Sequence, residues 1–259
     1  MENKRKLLIR LAFLGTAYCG YQVQTNGESV QAALNRAAEA LFGYPCDIVG
    51  CSRTDSGVHA NDFCATVAAR GTDELPTEIP VERVPQAFSA HLPEDIRVFD
   101  AAWVPSAFHA RYDVLEKEYL YRFYNRRVFS PFEVGRAWHL PQEIDRAAFG
   151  RMETAAQAFL GEHDFSAFMA QGSKVTDPVR TVSRVGLSRE GDLILFRVAA
   201  NGFLYNMVRI MAGTLVDVAQ GRIDPGAIPA IIASRDRGLA GQTAPACGLY
   251  LDRVTYSSQ

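Results

Sequence analysis

The sequence predicts an α+β protein, of mixed α/β character, built from two βαββαβ halves with largely antiparallel sheets. Three observations lead there. Short runs rich in apolar and β-branched residues read as strands. Between them lie longer runs with apolar residues at helical spacing, bounded by capping and breaking residues. The order of these runs in the first hundred residues then returns in the remainder, without any return of the sequence itself.

Residues 6–14 form a β-rich run. Ser29 caps a helix whose apolar face is Val30, Leu34, Ala37, Ala38 and Leu41, and Gly43 terminates it. Two short strands follow near 46–49 and 63–68, joined by a loop rich in small and polar residues. A helix around 81–90 lies between Pro80 and Pro93, and 97–104 is a further strand. The order βαββαβ is the ferredoxin-like plan. In the second half, 117–124 alternates as a strand, and 144–160 is helical and closed by Gly161. Residues 181–188 and 192–199 make a hairpin turning at Glu190-Gly191. A long helix over 203–219 contains Gly213, a short extra helix covers 228–234, and 249–256 is the last strand. With no long linker or low-complexity segment, the boundary is expected near Pro105: one half over 1–105, the other over 106–259. A cleft is expected between them.

The chain has 259 residues, 48% of them hydrophobic, enough for one large or two small domains with real cores. No apolar run approaches a membrane span, and the apolar stretch after the basic start is interrupted by Arg10, unlike a secretory signal. Five cysteines without Cys-x-x-Cys spacing read as reduced thiols in a cytosol. Cys46, Cys51 and His59 fit no common structural zinc spacing, so no metal is expected. The net charge of −2 argues mildly against nucleic acid, but only four of the 27 basic residues are lysine. Arginine grips phosphates with two parallel hydrogen bonds and stacks on bases, although genomic composition also raises arginine. The cluster Arg122, Arg126, Arg127 and Arg136 is more pointed. It is interleaved with Tyr121, Phe123, Tyr124 and Phe129, a mixture that can track phosphate and stack on bases. A charged edge strand has the same look.

The densest chemistry lies in Gly50-Cys51-Ser52-Arg53-Thr54-Asp55-Ser56-Gly57-Val58-His59-Ala60. One carboxylate, Asp55, stands between two glycines, next to an arginine and near a histidine. An acid held beside a guanidinium stays ionised at neutral pH, which suits a nucleophile or an electrostatic anchor better than a general acid. Thr-Asp-Ser-Gly is equally a good turn on its own, since Asp caps its own backbone and Gly accepts positive φ.

Residues 53–60 resemble the signature of the TruA family of tRNA pseudouridine synthases, Arg-Thr-Asp-Ala/Ser-Gly-Val-His. Four further blocks agree in the family's order: Gly20-Tyr21-Gln22-Val23-Gln24 with Ser29-Val30-Gln31; Phe108-His109-Ala110-Arg111 followed by Lys117-Glu118-Tyr119-Leu120-Tyr121; Gly202-Phe203-Leu204-Tyr205-Asn206-Met207-Val208-Arg209; and Gly248-Leu249-Tyr250-Leu251. Ser89-Ala90-His91-Leu92-Pro93 departs from the family, which usually carries Asn shortly before Leu-Pro, but this leaves the acid untouched. The resemblance implies two ferredoxin-like halves around a central cleft and isomerisation of uridine at positions 38, 39 and 40 in the anticodon stem-loop of tRNA. It also implies a homodimer. The reaction needs neither redox change nor group donor, so no cofactor or nucleotide is expected.

By resemblance Asp55 is the essential acid, acting at C1′ or C6 or by deprotonating the sugar. Arg53 can pair with it, hold a phosphate or help displace the target base. Arg209 stands on an otherwise apolar helix and needs a partner or an exit to water; the expectation is that it pairs with Asp55. Tyr119 takes the family's active-site tyrosine position, where a ring stacks on uracil and a hydroxyl handles a proton. Leu249 supplies an apolar wall, and Tyr121 reads as core. His59 and His109 read as structural or RNA-contacting. Arg122, Arg126 and Arg127 are candidate RNA contacts. Other readings stay open: an RNA-refolding protein of the same fold, a synthase with another set of positions, and, ranked last, a hydrolase or phosphotransferase using Asp55 as nucleophile.

Overall fold

The computed structural model describes residues 5–25, 27–172 and 175–257. The basic start at 1–4 and Lys174 lie outside them. The chain divides into two compact units, one of residues 1–115 with 251–259 and one of 116–250. The division falls after Leu115, later than Pro105, and returns the last residues of the chain to the first unit.

The first unit runs β1 (Arg5–Phe13), α1 (Val30–Phe42), β2 (Cys46–Gly50), β3 (His59–Ala69), α2 (Val84–Ser89) and β4 (Ile96–Pro105). On β1, Leu7, Ile9, Leu11 and Phe13 alternate inward, the period of a strand with one buried face. β1 lies antiparallel between β3 and β4, and β2 runs antiparallel to β3 on its other side. That order, β4-β1-β3-β2, is the one a βαββαβ unit reaches when both of its helices cross one face. Helix α1 is closed as its sequence requires: Ser29 Oγ accepts the Ala32 N–H, and Gly43 ends it in the left-handed region. Its buried residues are Val30, Ala33, Leu34, Ala37 and Ala38. The helix expected over 81–90 is a 3₁₀ turn, Val81–Arg83, leading into α2, with Pro85 near its start.

The second unit contains β5 (Val114–Asn125, apart from its first two residues), β6 (Trp138–Leu140), α3 (Arg146–Gln157), β7 (Gly161–Asp164), β8 (Val179–Glu190), β9 (Leu193–Ala200), α4 (Met207–Ala219) and α5 (Ile228–Ser234). Its sheet runs β5-β9-β8-β7, antiparallel throughout, with β6 parallel to β5. β6 and β7 are additions to the expected order. Gly161 opens β7 rather than merely ending the preceding helix. The long helix starts at Met207, not at 203, because Asn206 adopts φ 59°. Helices α3 and α4 pack together over a core that includes Met152, Phe159, Phe165, Phe168 and Phe196. The final strand, β10 (Leu249–Tyr256), begins in the second unit and ends in the first, where it lines up beside β3. All five cysteines are free, and burial pushes the Cys46 thiol up to about 11. No helix among the described residues is long and apolar enough to cross a membrane.

Candidate active site

Asp55 lies on the loop between β2 and β3, half-buried between an exposed Arg53 and a buried Val58. The loop is braced from one side by residues 15–21. The Tyr21 N–H donates to the Thr54 carbonyl at 3.1 Å, and the Gly57 N–H and the Ser56 hydroxyl donate to the Tyr18 carbonyl at 3.4 and 3.2 Å. Within the loop the Val58 N–H donates to the Asp55 carbonyl at 3.1 Å. Gly20, at φ +111°, lets the two segments touch: an added Cβ would lie 2.6 Å from the Thr54 carbonyl oxygen. The first and second motif blocks are therefore the two sides of one contact. His59 belongs to the same brace. It is fully buried, and its Nδ1 accepts the Gly15 N–H at 2.9 Å, a structural role that leaves that nitrogen committed. At the loop's start the Cys51 N–H donates to the Cys64 carbonyl and the Cys64 N–H to the Cys51 sulfur. Two buried hydroxyls beside the loop, those of Tyr21 and Thr54, have no hydrogen-bond partner among the described residues.

Arg53 and Asp55 share this loop but are not an ion pair. Arg53 makes no hydrogen bond or ion pair with any described residue. Pairing with the acid, one of the three roles open to it from sequence, is not seen.

Tyr119, Arg209 and Leu249 lie in the second unit. Tyr119 stands opposite Val198 on β5, is 7% exposed, and meets Phe203 edge-on at 4.9 Å between ring centroids. Tyr121, two residues on, is fully buried, and its hydroxyl donates to the Pro245 carbonyl at 2.7 Å, in keeping with a core role. Arg209 finds partners where its helix begins. Its Nε donates to the Ala244 carbonyl at 2.7 Å and one terminal nitrogen to Asn206 Oδ1 at 2.8 Å. The Ala244 N–H returns a bond to the Arg209 carbonyl at 3.0 Å. Sequence reading passed over Asn206. Its signal was an asparagine three residues before an arginine at a helix start, a spacing that places both on one face. Leu249 is buried at the start of β10.

The candidate RNA arginines diverge. Arg122 donates to Glu133 at 2.8 Å, with side-chain exposures of 20% and 18%, and its guanidinium lies 5.5 Å from the Tyr250 ring centroid. Arg126 is exposed and paired with Asp192 at 3.0 Å. Arg127 is exposed and makes no ion pair with any described residue.

Comparison with known proteins supplies what geometry alone does not. A family model described as tRNA pseudouridine synthase matches residues 155–257. The chain is 42% identical to tRNA pseudouridine synthase A of Acetivibrio thermocellus, over 97% of this chain and all of that one. It is 44% identical to tRNA pseudouridine synthase A of Moorella thermoacetica, over 96% of this chain and 99% of that one. It is 39% identical to tRNA pseudouridine synthase A of Caldicellulosiruptor saccharolyticus, over 97% and 100%. Likeness at this level over the whole length carries the fold and the isomerase chemistry on tRNA uridine together. The chain belongs to the tRNA pseudouridine synthase A family.

Proposed function

We propose that this enzyme converts uridine to pseudouridine at positions 38, 39 and 40 in the anticodon stem-loop of tRNA, with Asp55 as its essential group. The observation that carries the reading is a half-buried carboxylate on a loop braced by its neighbouring segment, in a chain whose likeness to tRNA pseudouridine synthases A is unbroken from end to end. The N1–C1′ bond of the uridine breaks, the base turns, and C5 joins C1′. The proton on C5 leaves and N1 gains one, so the reaction is an isomerisation with no other reactant. Asp55 supplies the carboxylate for bond cleavage by nucleophilic catalysis. Arg209 offsets its charge, Tyr119 stacks on uracil and handles the C5 proton, and Leu249 closes the apolar side of the base. The orientation of Arg209 by Asn206 and Ala244 supports this, because a positioned cation serves an ionised acid better than a mobile one. Arg53, Arg126 and Arg127 contact RNA, offsetting the few kcal/mol that unstacking the target costs. Likeness to the family supports a homodimer acting in the cytosol without cofactor or metal.

The test is to incubate purified protein with unmodified tRNA transcripts bearing uridine at 38, 39 or 40, and to map pseudouridine at single-nucleotide resolution. Conversion at those three positions is expected. Conversion only elsewhere would overturn the assigned positions, and none at all would overturn the reading.

A further inference from the structure

The Asp55 loop shares a depression of about 250 Å³ with a turn that the reaction described above does not use. Tyr21, Gln22, the end of β2, Arg53 and the turn residues His109, Arg111 and Tyr112 line it. All of these residues belong to the first unit. The turn follows β4 and is firmly built. Asp113 Oδ2 accepts the His109 N–H at 2.8 Å, and His109 Nδ1 accepts the N–H groups of Arg111 and Tyr112 at 3.1 and 3.4 Å. The Tyr112 and Asp113 N–H groups also reach the His109 carbonyl, at 3.2 and 3.1 Å. With its backbone satisfied in this way, the turn holds the Tyr112 ring 74% exposed. That ring rests on the His109 ring at 4.3 Å between centroids, and the Arg111 guanidinium lies 5.8 Å from its centroid.

A single exposed aromatic is ordinary. This one differs in its company. Neither Arg53 nor Arg111 has an ion pair with any described residue, so two exposed guanidiniums, one of them over the Tyr112 ring, line the same depression without an acid. An exposed ring flanked by free cations is the equipment for a base and its phosphates, since aromatic stacking tolerates any base and arginine holds phosphate with two parallel bonds. The volume sets the scale. It lies below the roughly 300 Å³ at which pockets for drug-sized ligands begin, which suits one base rather than a whole cofactor. The position sets the register. Arg53 is two residues from Asp55, at most about 7 Å of extended chain, so the occupant is a near neighbour of the reacting uridine.

We propose that this depression is a nucleotide subsite. A nucleotide adjacent to the target uridine leaves the stack and lies against Tyr112, while Arg53 and Arg111 hold its flanking phosphates. The proposal rests on the reading of this chain as a tRNA uridine isomerase. It adds a second displaced nucleotide to the substrate's path.

The experiment uses the full chain and an anticodon stem-loop RNA carrying 2-aminopurine next to the target uridine. Tyr112→Ala, Tyr112→Phe and Arg111→Ala are compared with the unaltered protein by probe fluorescence, by affinity and by thermal melting. Stacking on Tyr112 quenches the probe. The unaltered protein and Tyr112→Phe are expected to give a dim probe and equal affinity. Tyr112→Ala should leave the probe bright and weaken binding roughly ten- to a hundredfold. Arg111→Ala should lower the slope of log affinity against log salt by about 0.7. Unchanged melting is expected for all three, because the altered side chains are exposed. Tyr112→Ala with a dim probe and affinity within twofold of the unaltered protein would overturn the subsite, as would Tyr112→Phe as damaged as Tyr112→Ala. Pseudouridine formed by the unaltered protein in the same samples separates the two readings. If it binds and quenches but never isomerises, the subsite stands and the functional reading falls.

Discussion

Four arginines, two in each unit, meet different fates. In the second unit, Arg122 is tied to Glu133 and covered by the Tyr250 ring, and Arg126 is held by Asp192. In the first unit, Arg53 and Arg111 have no ion pair with any described residue. In the sequence each was a candidate RNA contact or stood in a motif block. What separates them is whether the fold brings an acid within reach. Glu133 arrives on a 3₁₀ turn just after β5, and Asp192 arrives at the turn of the β8–β9 hairpin. The turn at 108–113 has an acid of its own, but Asp113 is engaged with the His109 N–H and leaves Arg111 alone. A cation held by a largely buried acid, as Arg122 is by Glu133, is a fastening of the fold. A cation without one is free to meet phosphate. Arginine density is thus a poorer sign of an RNA surface than arginine without acid.

The largest effect tests the acid on which everything else depends. Asp55→Asn keeps the shape and removes the charge. It is expected to lower pseudouridine formation by at least about a thousandfold while tRNA affinity and folding persist. Tritium release from C5-labelled tRNA, read beside a binding isotherm, decides it. Activity within tenfold of the unaltered enzyme would break the assignment.

The next effect tests the brace beneath that acid. Gly20→Ala meets both a left-handed φ and the Thr54 carbonyl, so a loss of about 2 to 4 kcal/mol is expected. Gly191→Ala, at φ +60° in the β8–β9 turn with open space around it, should cost only about 1 kcal/mol. Urea unfolding of the two variants gives the comparison directly. Equal losses would mean that the Gly20 contact does not hold the loop.

The smallest effects sharpen the contrast between the arginines. Arg122→Ala strands the partly buried Glu133 and should cost about 1 to 3 kcal/mol without altering the salt dependence of tRNA binding. Arg53→Ala should do the reverse, leaving the urea midpoint in place and lowering the salt slope by about 0.7 to 0.9. Arg126→Ala should barely move the midpoint, because its pair with Asp192 is exposed to water. A salt slope that falls for Arg122→Ala and not for Arg53→Ala would invert the comparison.

Much of this molecule was readable before folding. Ser29 and Gly43 bracket α1 at the expected ends, the β8–β9 hairpin turns at Gly191, and α5 and β10 occupy the expected residues. These signals are local: a cap, a turn, an alternation. What escaped was set at a distance. β6 has three residues and β7 four, too few for a period to show, and each exists because a partner strand is already in place. The start of α4 was misplaced because Phe203 and Leu204 continue the apolar pattern of the helix, while Asn206 breaks its backbone. Within the candidate site, the motif blocks grouped the candidate residues but did not show how they are held. That the Tyr21 N–H donates to the Thr54 carbonyl, or that His59 accepts the Gly15 N–H, depends on contacts more than thirty residues apart in the chain.

The tether between Asn206 and Arg209 has a consequence beyond geometry. An arginine side chain carries roughly 2 kcal/mol of rotamer entropy, part of which is lost when the group is fixed. Asn206 Oδ1 and the Ala244 carbonyl fix this one within the protein itself. The loss of freedom is therefore incurred once, on folding, and does not recur each time a substrate binds. On the reading proposed above, Asn206→Ala would remove one of these holds and shift part of that cost into substrate binding. On that same reading Asn206 would then bear, through Arg209, on how much of the binding free energy remains for the step that follows.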